Sequence, residues 1–397
     1  MRILLTARSG QFAGVERRIL SEAEYLAETG HQPAVAANRF HGEGRLKEAC
    51  NRHDVSYQRL CLPPFLSDWR RRHLHYGEFR LSQFRWQWLA NYDLMHVFMP
   101  WTNCGLEHMA LARRLGIPYI VSAHNTFGDV RKRQPWHKRF LTDAFRNCVG
   151  YYGVSDDALT QFERAFEPYL PEDAIRATIH NFVDTSLFKP SQTHRRVLRD
   201  ALAVPAETRV VGNVGRIAGH KRPLLTLRVF ECLAQRHPDV HFLFMGEGPL
   251  RKDLLAKIHE SPARSRIHLL PFSDSPEGVL GGLDVHLLMS WVEGFGIVTA
   301  EAMAAGVPVV ATAAPGTREV IDDGIDGYLV PVDDWHAAAQ RVEAVLGDAG
   351  EAARLRKAGR LKAERSFSAE VWRRNVGEFY AAVGARLSAA PAASTGQ

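Results

Sequence analysis

Cysteine is scarce in this sequence, and several motifs that mark common enzyme classes are missing. The five cysteines are scattered, odd in number and form no CxxC pair, so the sequence supports neither a disulfide framework nor a structural zinc site. Gly246-x-Gly248 is followed by Pro249 and not by the rest of a GxGxxG segment, which argues against a nicotinamide dehydrogenase. Neither a P-loop nor a nucleophile elbow is present.

Long hydrophobic runs are missing as well. No uninterrupted apolar segment is long enough to cross a membrane, and the opening MRILLTARSG is too short an apolar run for a signal peptide. Together with the unpaired cysteines, this predicts a cytoplasmic protein.

Acidic residues are fewer than basic ones: the formal net charge is +6 and the pI is about 9.1. The excess of positive charge indicates anionic partners without choosing among phosphate ligands, anionic lipid and nucleic acid.

What is present is a regular alternation of apolar strand-length runs and helical stretches. The chain has 397 residues, 46% of them hydrophobic and 24% charged, so two globular domains are expected. Alternating strands and helices predict parallel sheets flanked by helices, and we expect an α/β protein of two facing Rossmann-like, doubly wound domains with an interdomain cleft. The candidate strands are 2–6, 32–36, 94–98, 119–122, 150–154, 210–214, 241–245, 267–270, 285–289, 307–311 and 328–330.

The pattern restarts after a proline-containing polar passage, FVDTSLFKPSQTH, which we interpret as a linker. The predicted domains are residues 1–182 and 183–366, followed by an amphipathic helix over 367–387 and a small, polar tail over 388–397 that we expect to be disordered. Val371, Trp372, Val376 and Phe379 form the apolar stripe of that last helix.

Ligands of open α/β sheets bind at the loops that follow the carboxyl ends of the strands. In the second half, Gly215 after one strand permits a tight turn, Arg216 and Lys221 follow on the same loop, and Pro223 marks a helix start. Two fixed cations near helix amides can bind a diphosphate. The alternative is two solvated surface cations.

A second loop carries two acids, Glu293 and Glu301, in the stretch WVEGFGIVTAEAM. A strand precedes it and a helix follows, so the turn Gly294-Phe295-Gly296 presents backbone N–H groups at a helix start. A carboxylate there suits hydroxyl groups attached to a phosphate ligand, because two hydroxyls can donate to one carboxylate. The alternatives are a helix N-cap charge for Glu293 and a solvated helix position for Glu301.

The segment EGFGIVTAEAMAAGVPVVAT resembles the signature of retaining nucleotide-sugar glycosyltransferases of family 4, which have the GT-B fold. The resemblance continues in VGRIAGHK, FLFMGEGPLR, PGTREVIDDGIDGYLVP and IHNFVDTSLF, and it is strong from 179 to about 332. In the first half, FAGVERRI, SAHN and YGVSD match related loops more weakly. The resemblance implies that the first domain binds the acceptor, the second binds the donor, and the last helix crosses back to the first domain. By itself, the sequence also allows a last helix on the second domain.

The resemblance implies roles for the matching residues of the second domain. Arg216 and Lys221 would neutralise the donor diphosphate. Glu301 would bind the ribose, while Glu293 would face the donor sugar.

In the first domain, Gly14 would let its loop approach the phosphates and acceptor, and His124 would lie near the reacting sugar. A histidine at a strand end can also be a hydrogen-bonded core residue. The predicted catalytic residues are Glu293, His124, Arg216 and Lys221. The predicted donor-binding residues are Gly14, Gly215, Arg216, Lys221, Gly246, Glu293, Gly294, Phe295, Gly296, Ile297 and Glu301.

The sequence departs from the family pattern at three places. Ala13 stands before Gly14 where two glycines are common, and Phe182 replaces a glycine before the linker. Arg222 follows Lys221 where a glycine is usual, so it adds a cation that is expected to tighten anion binding. There is no DxD pair, the arrangement through which a metal commonly holds a nucleotide diphosphate. We therefore expect metal-independent transfer with no cofactor beyond the nucleotide-sugar donor.

Three basic stretches, 68–76, 78–89 and 130–140, combine arginines with tryptophan. Such a composition suits a membrane interface or an anionic glycolipid, and also nucleic acid, although no nucleic acid partner is expected here. The alternative is a solvated basic face with its aromatic rings in the core. The tryptophans are Trp69, Trp86, Trp88 and Trp136.

The resemblance, together with the basic stretches, predicts a retaining hexosyltransferase that uses a glycan or glycolipid acceptor in lipopolysaccharide or surface polysaccharide assembly, at the cytoplasmic membrane face. Domain closure would exclude water, and attack would occur on the front side within an ion pair. One rival is a nucleotide-sugar epimerase of the same fold, which would act on its donor without an acceptor. Another is a non-catalytic glycan- or lipid-binding module.

Overall fold

The computed structural model describes residues 1–10, 12–63, 76–80, 83–101, 104–125, 135–273 and 275–389. The chain divides into two compact units, residues 1–179 with 373–397, and residues 180–372. The change of unit at 179 falls slightly before the sequence-based boundary at 182. Each unit is built on one parallel sheet.

The first unit contains a seven-stranded sheet in the order β3-β2-β1-β4-β5-β6-β7, with every pair parallel. Its central strands are apolar runs that are buried along most of their length, as expected for a parallel sheet covered on both faces. The strands are β1 Arg2–Ala7, β2 Gln32–Ala37, β3 Ser56–Arg59, β4 Leu94–Met99, β5 Tyr119–Ala123, β6 Cys148–Gly153 and β7 Ile175–Thr178.

The second unit contains a six-stranded parallel sheet in the order β10-β9-β8-β11-β12-β13. The order reverses at β8, and the carboxyl ends beside such a switch point form the usual ligand crevice of open α/β sheets. The strands are β8 Arg209–Val214, β9 Val240–Met245, β10 Ile267–Leu270, β11 Val285–Leu288, β12 Val309–Thr312 and β13 Tyr328–Val330.

Helices connect the strands in both units. Pro223 opens one of them at its first position, where the missing N–H of proline costs nothing, and Gly306 (φ +69°) follows the end of another. The helices are α1 Gly14–Glu28, α2 Glu43–Arg52, α3 Leu106–Leu115, α4 Pro135–Ala144, α5 Asp156–Phe166, α6 Gln192–Leu202, α7 Pro223–Arg236, α8 Arg251–Glu260, α9 Pro276–Leu280, α10 Ile297–Ala304, α11 Thr317–Val320, α12 Trp335–Gly347, α13 Ala349–Phe367 and α14 Ala369–Ala389.

All the strands that the apolar runs predict are present, with ends that differ by no more than two residues. The sequence missed β3 and β7, which are the two edges of the first sheet. Their sequences, SYQR and IRAT, are short, polar and only partly buried, so they lack the apolar run that marks a central strand. The two Rossmann-like α/β domains expected from the sequence are confirmed.

The last helix, α14, starts in the second unit, and its residues from 373 onward belong to the first. Trp372, Val376 and Phe379 of its predicted stripe are buried. The helix extends to Ala389, so it includes the first two residues of the predicted tail, and the remainder of that tail lies outside the described residues.

Candidate active site

The loops after β8 and β9 interlock at the carboxyl edge of the second sheet. The amide of Gly215 donates to the carbonyl of Met245 at 2.9 Å, and that of Ile217 donates to the carbonyl of Glu247 at 2.8 Å. Gly246 has φ +154°, and a Cβ atom there would lie 1.9 Å from the Gly215 carbonyl oxygen. Only glycine fits at this contact, so Gly246 fixes how closely the two loops approach.

The loop after β8 delivers Lys221 to an acid that lies 72 residues further along the chain. The Lys221 Nζ atom is 2.6 Å from Glu293 Oε1, and both side chains are largely buried, with 15% and 9% exposure. The hydroxyl of Ser290 donates to the same carboxylate oxygen. Within the described part of the chain, Glu293 is the only recorded side-chain partner of Lys221. An ammonium group carries three donors, so Lys221 can donate to an anionic ligand as well as to Glu293.

Backbone contacts hold Glu293 in place. Its amide donates to the carbonyl of Pro315 at 3.2 Å, and the amide of Trp291 donates to the carbonyl of His220 at 3.0 Å. Gly316 has φ +77°, and a Cβ atom there would lie 2.6 Å from the Glu293 carbonyl oxygen. Three loops, those after β8, β11 and β12, therefore meet around this carboxylate.

The turn at 294–296 leads directly into α10. Gly296 is the N-cap of the helix, with φ +94° and no side-chain cap, so Glu293 is not a helix N-cap. The side chain of Phe295 is buried, and its ring lies 5.4 Å from His180 and 5.2 Å from Phe367. The buried ring of Phe295 thus anchors the turn. The first amides of α10 have no acceptor within their own helix.

The remaining acidic candidate, Glu301, lies in the second turn of α10, and its side chain is half-buried. Ile297 opens the helix and is half-buried too. Their predicted contacts with ribose and with sugar or phosphate remain proposals.

The two arginines of the β8 loop differ in what they contact. Arg216 is exposed, whereas Arg222 donates to the Val332 carbonyl at 2.7 Å and to Asp333 Oδ1 at 2.6 Å. Arg222 also sits in the left-handed region at φ +51°, as the residue before Pro223. Its guanidinium is committed to the segment after β13, so the expected extra cation for anion binding is not supplied in this structure.

The positive charges of the loop after β8 affect the pKa of His220, which lies on the same loop. Burial lowers the pKa of His220, and the positive charges of Lys221 and Arg216 lower it further, against the opposite effect of Glu293. Both cations therefore act on the same small region of the edge. An anion placed there would gain from both charges.

In the first unit, the candidates lie at the carboxyl ends of β1 and β5. Gly14 is exposed and forms the first residue of α1, whereas the sequence analysis placed it in a loop. His124 directly follows β5; it is buried, its Nε2 atom lies 3.2 Å from Ser122 Oγ, and its ring stacks on Phe98 at 5.8 Å.

Burial lowers the pKa of His124 to about 3, with smaller contributions from Arg18 and His96 that outweigh Glu22. The imidazole is consequently neutral at physiological pH. It can accept or donate a hydrogen bond but cannot deliver a proton from an imidazolium.

The sequence analysis did not identify Ser290 or two buried charged residues of α1, Arg18 and Glu22. For Arg18 and Glu22, the available signal was their i, i+4 spacing beside the apolar face of α1.

Two of the four tryptophans in the basic stretches can be placed. Trp86 and Trp88 are partly buried and pack against the core of the first unit, which favours the core interpretation for these two. Trp69 and residues 130–134 lie outside the described residues, as does the side chain of Trp136. Among the helices that the structure describes, none is both long and apolar enough to cross a membrane.

Comparison with protein families matches the two halves of the chain separately. Residues 12–187 match the model described as "Glycosyltransferase Family 4", and residues 194–362 match "Glycosyl transferases group 1". The second range contains every candidate of the β8, β9 and β11 loops. The first contains Gly14 and His124.

Among curated proteins, a D-inositol 3-phosphate glycosyltransferase of Saccharomonospora viridis is 30% identical over 283 residues, covering 63% of this chain and 62% of the relative. An N-acetyl-alpha-D-glucosaminyl L-malate synthase of Bacillus anthracis is 28% identical over 262 residues, covering 65% and 66%. The chain thus spans slightly less than two thirds of the length of these relatives.

Among solved structures, Anabaena HepE in complex with UDP and glucose aligns with a TM-score of 0.76 and 21% identity, covering 96% of this chain and all of that one. At this identity the likeness establishes the fold, which is that of GT-B glycosyltransferases.

Proposed function

We propose that this chain, which carries a Glycosyltransferase Family 4 domain and a Glycosyl transferases group 1 domain, is an enzyme that transfers a hexose-type sugar from a nucleotide diphosphate sugar to an acceptor. The observation that carries the proposal is the Lys221–Glu293 pair at the carboxyl edge of the second sheet. It lies beside a glycine-lined turn and a helix start, and such an edge is the usual ligand position in this class of sheet.

In this proposal Lys221 and Arg216 bind the diphosphate and stabilise the charge that develops on it as the sugar leaves. The amides at 295–297 add donors from the positive end of α10. Glu293 accepts hydrogen bonds from hydroxyls of the donor sugar, and Glu301 accepts those of the ribose. Because Lys221 already contacts Glu293, one lysine links the phosphate and sugar parts of the donor.

We further propose that transfer retains the configuration of the sugar, through front-side attack within an ion pair, and needs no covalent protein intermediate. Arg216 and Lys221 supply the positive charge at the leaving group, so no metal is required. Activity that disappears with EDTA and returns with magnesium or manganese would contradict this part.

The acceptor is proposed to be a hydroxyl compound with a negative charge. The two relatives are named for inositol 3-phosphate and malate, which are both anionic, and this chain has a net charge of +6. A phosphorylated glycolipid or glycan of lipopolysaccharide or surface polysaccharide assembly, reached at an anionic membrane surface, meets the same requirement. Binding to anionic liposomes at low salt, absent with neutral liposomes, tests the membrane part.

The central test combines binding and turnover. Nucleotide diphosphates and their sugars are screened by thermal shift, because a ligand that binds only the folded state raises the melting temperature. The stabilising nucleotide sugar is then supplied with inositol 3-phosphate, malate and phosphorylated glycolipids, and product is detected by mass spectrometry. Lys221→Ala should abolish the thermal shift and lower transfer by about 100-fold or more.

Lys257→Ala is the matched control, since Lys257 forms a similar pair with Glu260 at 2.7 Å on the exposed surface of α8. It should leave both readouts unchanged. An isomer formed from the donor without any acceptor would identify an epimerase instead. Ligand binding without turnover of any donor would favour a binding module.

A further inference from the structure

A cluster of polar side chains lies in the interior of the first unit. All its members are at least nine-tenths buried, and Glu22 is completely so. We refer to it as the Glu22 cluster. Its members are Arg18 and Glu22 of α1, His96 of β4, Tyr152 of β6 and Tyr380 of α14.

Both oxygens of the Glu22 carboxylate are hydrogen-bonded. Arg18 Nε donates to Oε1 at 2.8 Å, and the Tyr152 hydroxyl donates to the same oxygen. The Tyr380 hydroxyl donates to Oε2 at 3.1 Å, and His96 Nδ1 lies 2.8 Å from that hydroxyl and 3.2 Å from Oε2. One carboxylate therefore joins four elements that are far apart in the sequence.

Stability alone does not account for this cluster. Burial by itself raises the pKa of Glu22, but His96 and Arg18 outweigh it and hold the pKa far below its ordinary value. Burying such charges carries a desolvation cost, and well-packed apolar residues would be equally or more stable. What a hydrogen-bonded polar cluster adds is a restricted arrangement of the elements that it joins.

Two of those elements lead to the candidate site of the first unit. Gly14 opens α1 about one helical turn before Arg18, so any shift of α1 moves the Gly14 amide. A column of stacked rings runs from His96 to Phe98 at 3.9 Å and from Phe98 to His124 at 5.8 Å. The Glu22 cluster thus contacts the supports of both first-unit candidates.

The last helix closes the cluster from outside. A Cβ atom at Gly377 would lie 2.3 Å from the Tyr25 hydroxyl, so α14 packs directly on α1. Tyr380, one turn further along α14, reaches Glu22 across 358 positions of sequence. On the exposed side of the same contact, Arg373 pairs with Glu28.

We propose that Glu22 and Tyr380 are positioning residues, through which the last helix fixes α1 with Gly14 and the ring column that ends at His124. This role rests on the proposed glycosyltransferase function. Neither residue contacts substrate; their effect reaches the reaction through Gly14 and His124. The loss of one hydroxyl at Tyr380 should lower turnover far more than donor binding, because Gly14 is the single donor-binding candidate in the first unit, whereas Lys221, Glu293 and the other donor candidates belong to the second.

The experiment compares Tyr380→Phe with Arg373→Ala in the full-length chain. Tyr380→Phe removes only the hydroxyl, and we expect kcat to fall at least tenfold while the donor Kd stays within twofold. Arg373→Ala removes an exposed contact of the same helix and should keep kcat within twofold. Glu22→Gln keeps the shape of the carboxylate and should give a fall in kcat similar to that of Tyr380→Phe. It serves as the second variant if one protein fails to fold.

A second readout does not depend on activity. The imidazole ¹⁵N resonances of His124, assigned with a His124→Gln variant, should shift in Tyr380→Phe and stay in place in Arg373→Ala. Unchanged His124 resonances together with an unchanged kcat of the folded protein would overturn the positioning role, whatever happens to the melting temperature. If the wild-type protein transfers no sugar at all, the proposed function fails, and the resonances still decide whether the cluster positions His124.

Discussion

The carboxylates of Glu22 and Glu293 bind the same kinds of partner but differ in where they lie and in their capacity to bind a ligand. Each is bonded to a cation and to a hydroxyl group: Arg18 and two tyrosines for Glu22, Lys221 and Ser290 for Glu293. Glu22 lies on the inner face of a helix among four elements. Glu293 lies on a loop at the edge of a sheet.

The two carboxylates differ in whether their partners keep hydrogen-bond donors that a ligand can use. The Glu22 carboxylate accepts from Arg18 and both tyrosines in a fully buried setting, so it has neither access nor spare capacity for a ligand. Lys221 retains donors beyond the one given to Glu293, and its side chain is 15% exposed. Buried ionic groups therefore serve two purposes here: fixing helices in the first unit and, as proposed, binding a ligand in the second.

The largest expected effect is on the stability of the first unit. Glu22→Ala removes the buried carboxylate that pairs with Arg18 and accepts hydrogen bonds from Tyr152 and Tyr380, and we expect the free energy of unfolding to fall by about 3–5 kcal/mol. Urea denaturation followed by circular dichroism measures this. Glu28→Ala, which removes an exposed partner of Arg373, should cost less than about 1 kcal/mol. Equal effects of the two variants would remove the distinction between buried and exposed pairs.

Substitution of the second carboxylate, Glu293, should affect activity more than stability. Glu293→Gln keeps the size of the side chain but removes the charge that faces Lys221 and Ser290, so kcat/KM should fall about 100-fold. The melting temperature should fall less than in Glu22→Ala, because the glutamine amide oxygen can still accept a hydrogen bond from Lys221, which keeps 15% exposure. Steady-state kinetics and differential scanning fluorimetry provide the two numbers. Glu260→Gln, the exposed partner of Lys257, is the control; a similar loss of activity there would indicate a general charge effect.

Acid should destabilise the protein through its buried histidines. Burial lowers the pKa of His108, His124 and His286 to about 3 each, well below the ordinary value of 6.5. The unfolded chain therefore binds more protons between about pH 6.5 and pH 3, so stability is complete above pH 6.5 and declines as the pH falls through that window. Each histidine contributes up to about 2 kcal/mol between pH 7 and pH 5.

Urea midpoints at pH 7 and pH 5 test this dependence. His124→Gln should flatten the decline, since the variant has one fewer group that gains a proton on unfolding. A midpoint that stays constant between the two pH values would contradict it. His108 and His124 lie in the first unit and His286 in the second, so the first unit should lose more stability.

The smallest expected effect concerns Arg222. Its guanidinium binds the Val332 carbonyl and Asp333, so Arg222→Ala should change donor affinity by less than twofold and stability by less than about 1 kcal/mol. Isothermal titration with the stabilising nucleotide diphosphate measures the affinity. A tenfold loss would mean that Arg222 turns toward the ligand when it binds, as the sequence suggested.

The sequence by itself determined the fold class, the central strands and the loops that hold the candidates. Central strands of parallel sheets are buried on both faces, so they are continuous apolar runs that can be recognised locally. The edge strands β3 and β7 were not predicted, because they are short, polar and only partly buried. The helix start at Pro223 and the turn at 294–296 were predictable because proline and glycine restrict the backbone through their own covalent structure.

Only the tertiary structure decided which side chains meet. It paired Lys221 with Glu293, directed Arg222 away to Asp333, and brought Tyr380 from the last helix to Glu22. A side chain of a given type has the same donors and charge wherever it stands in the sequence. Its partner depends on which strand ends and helix faces become neighbours, and that is set by packing across the whole unit.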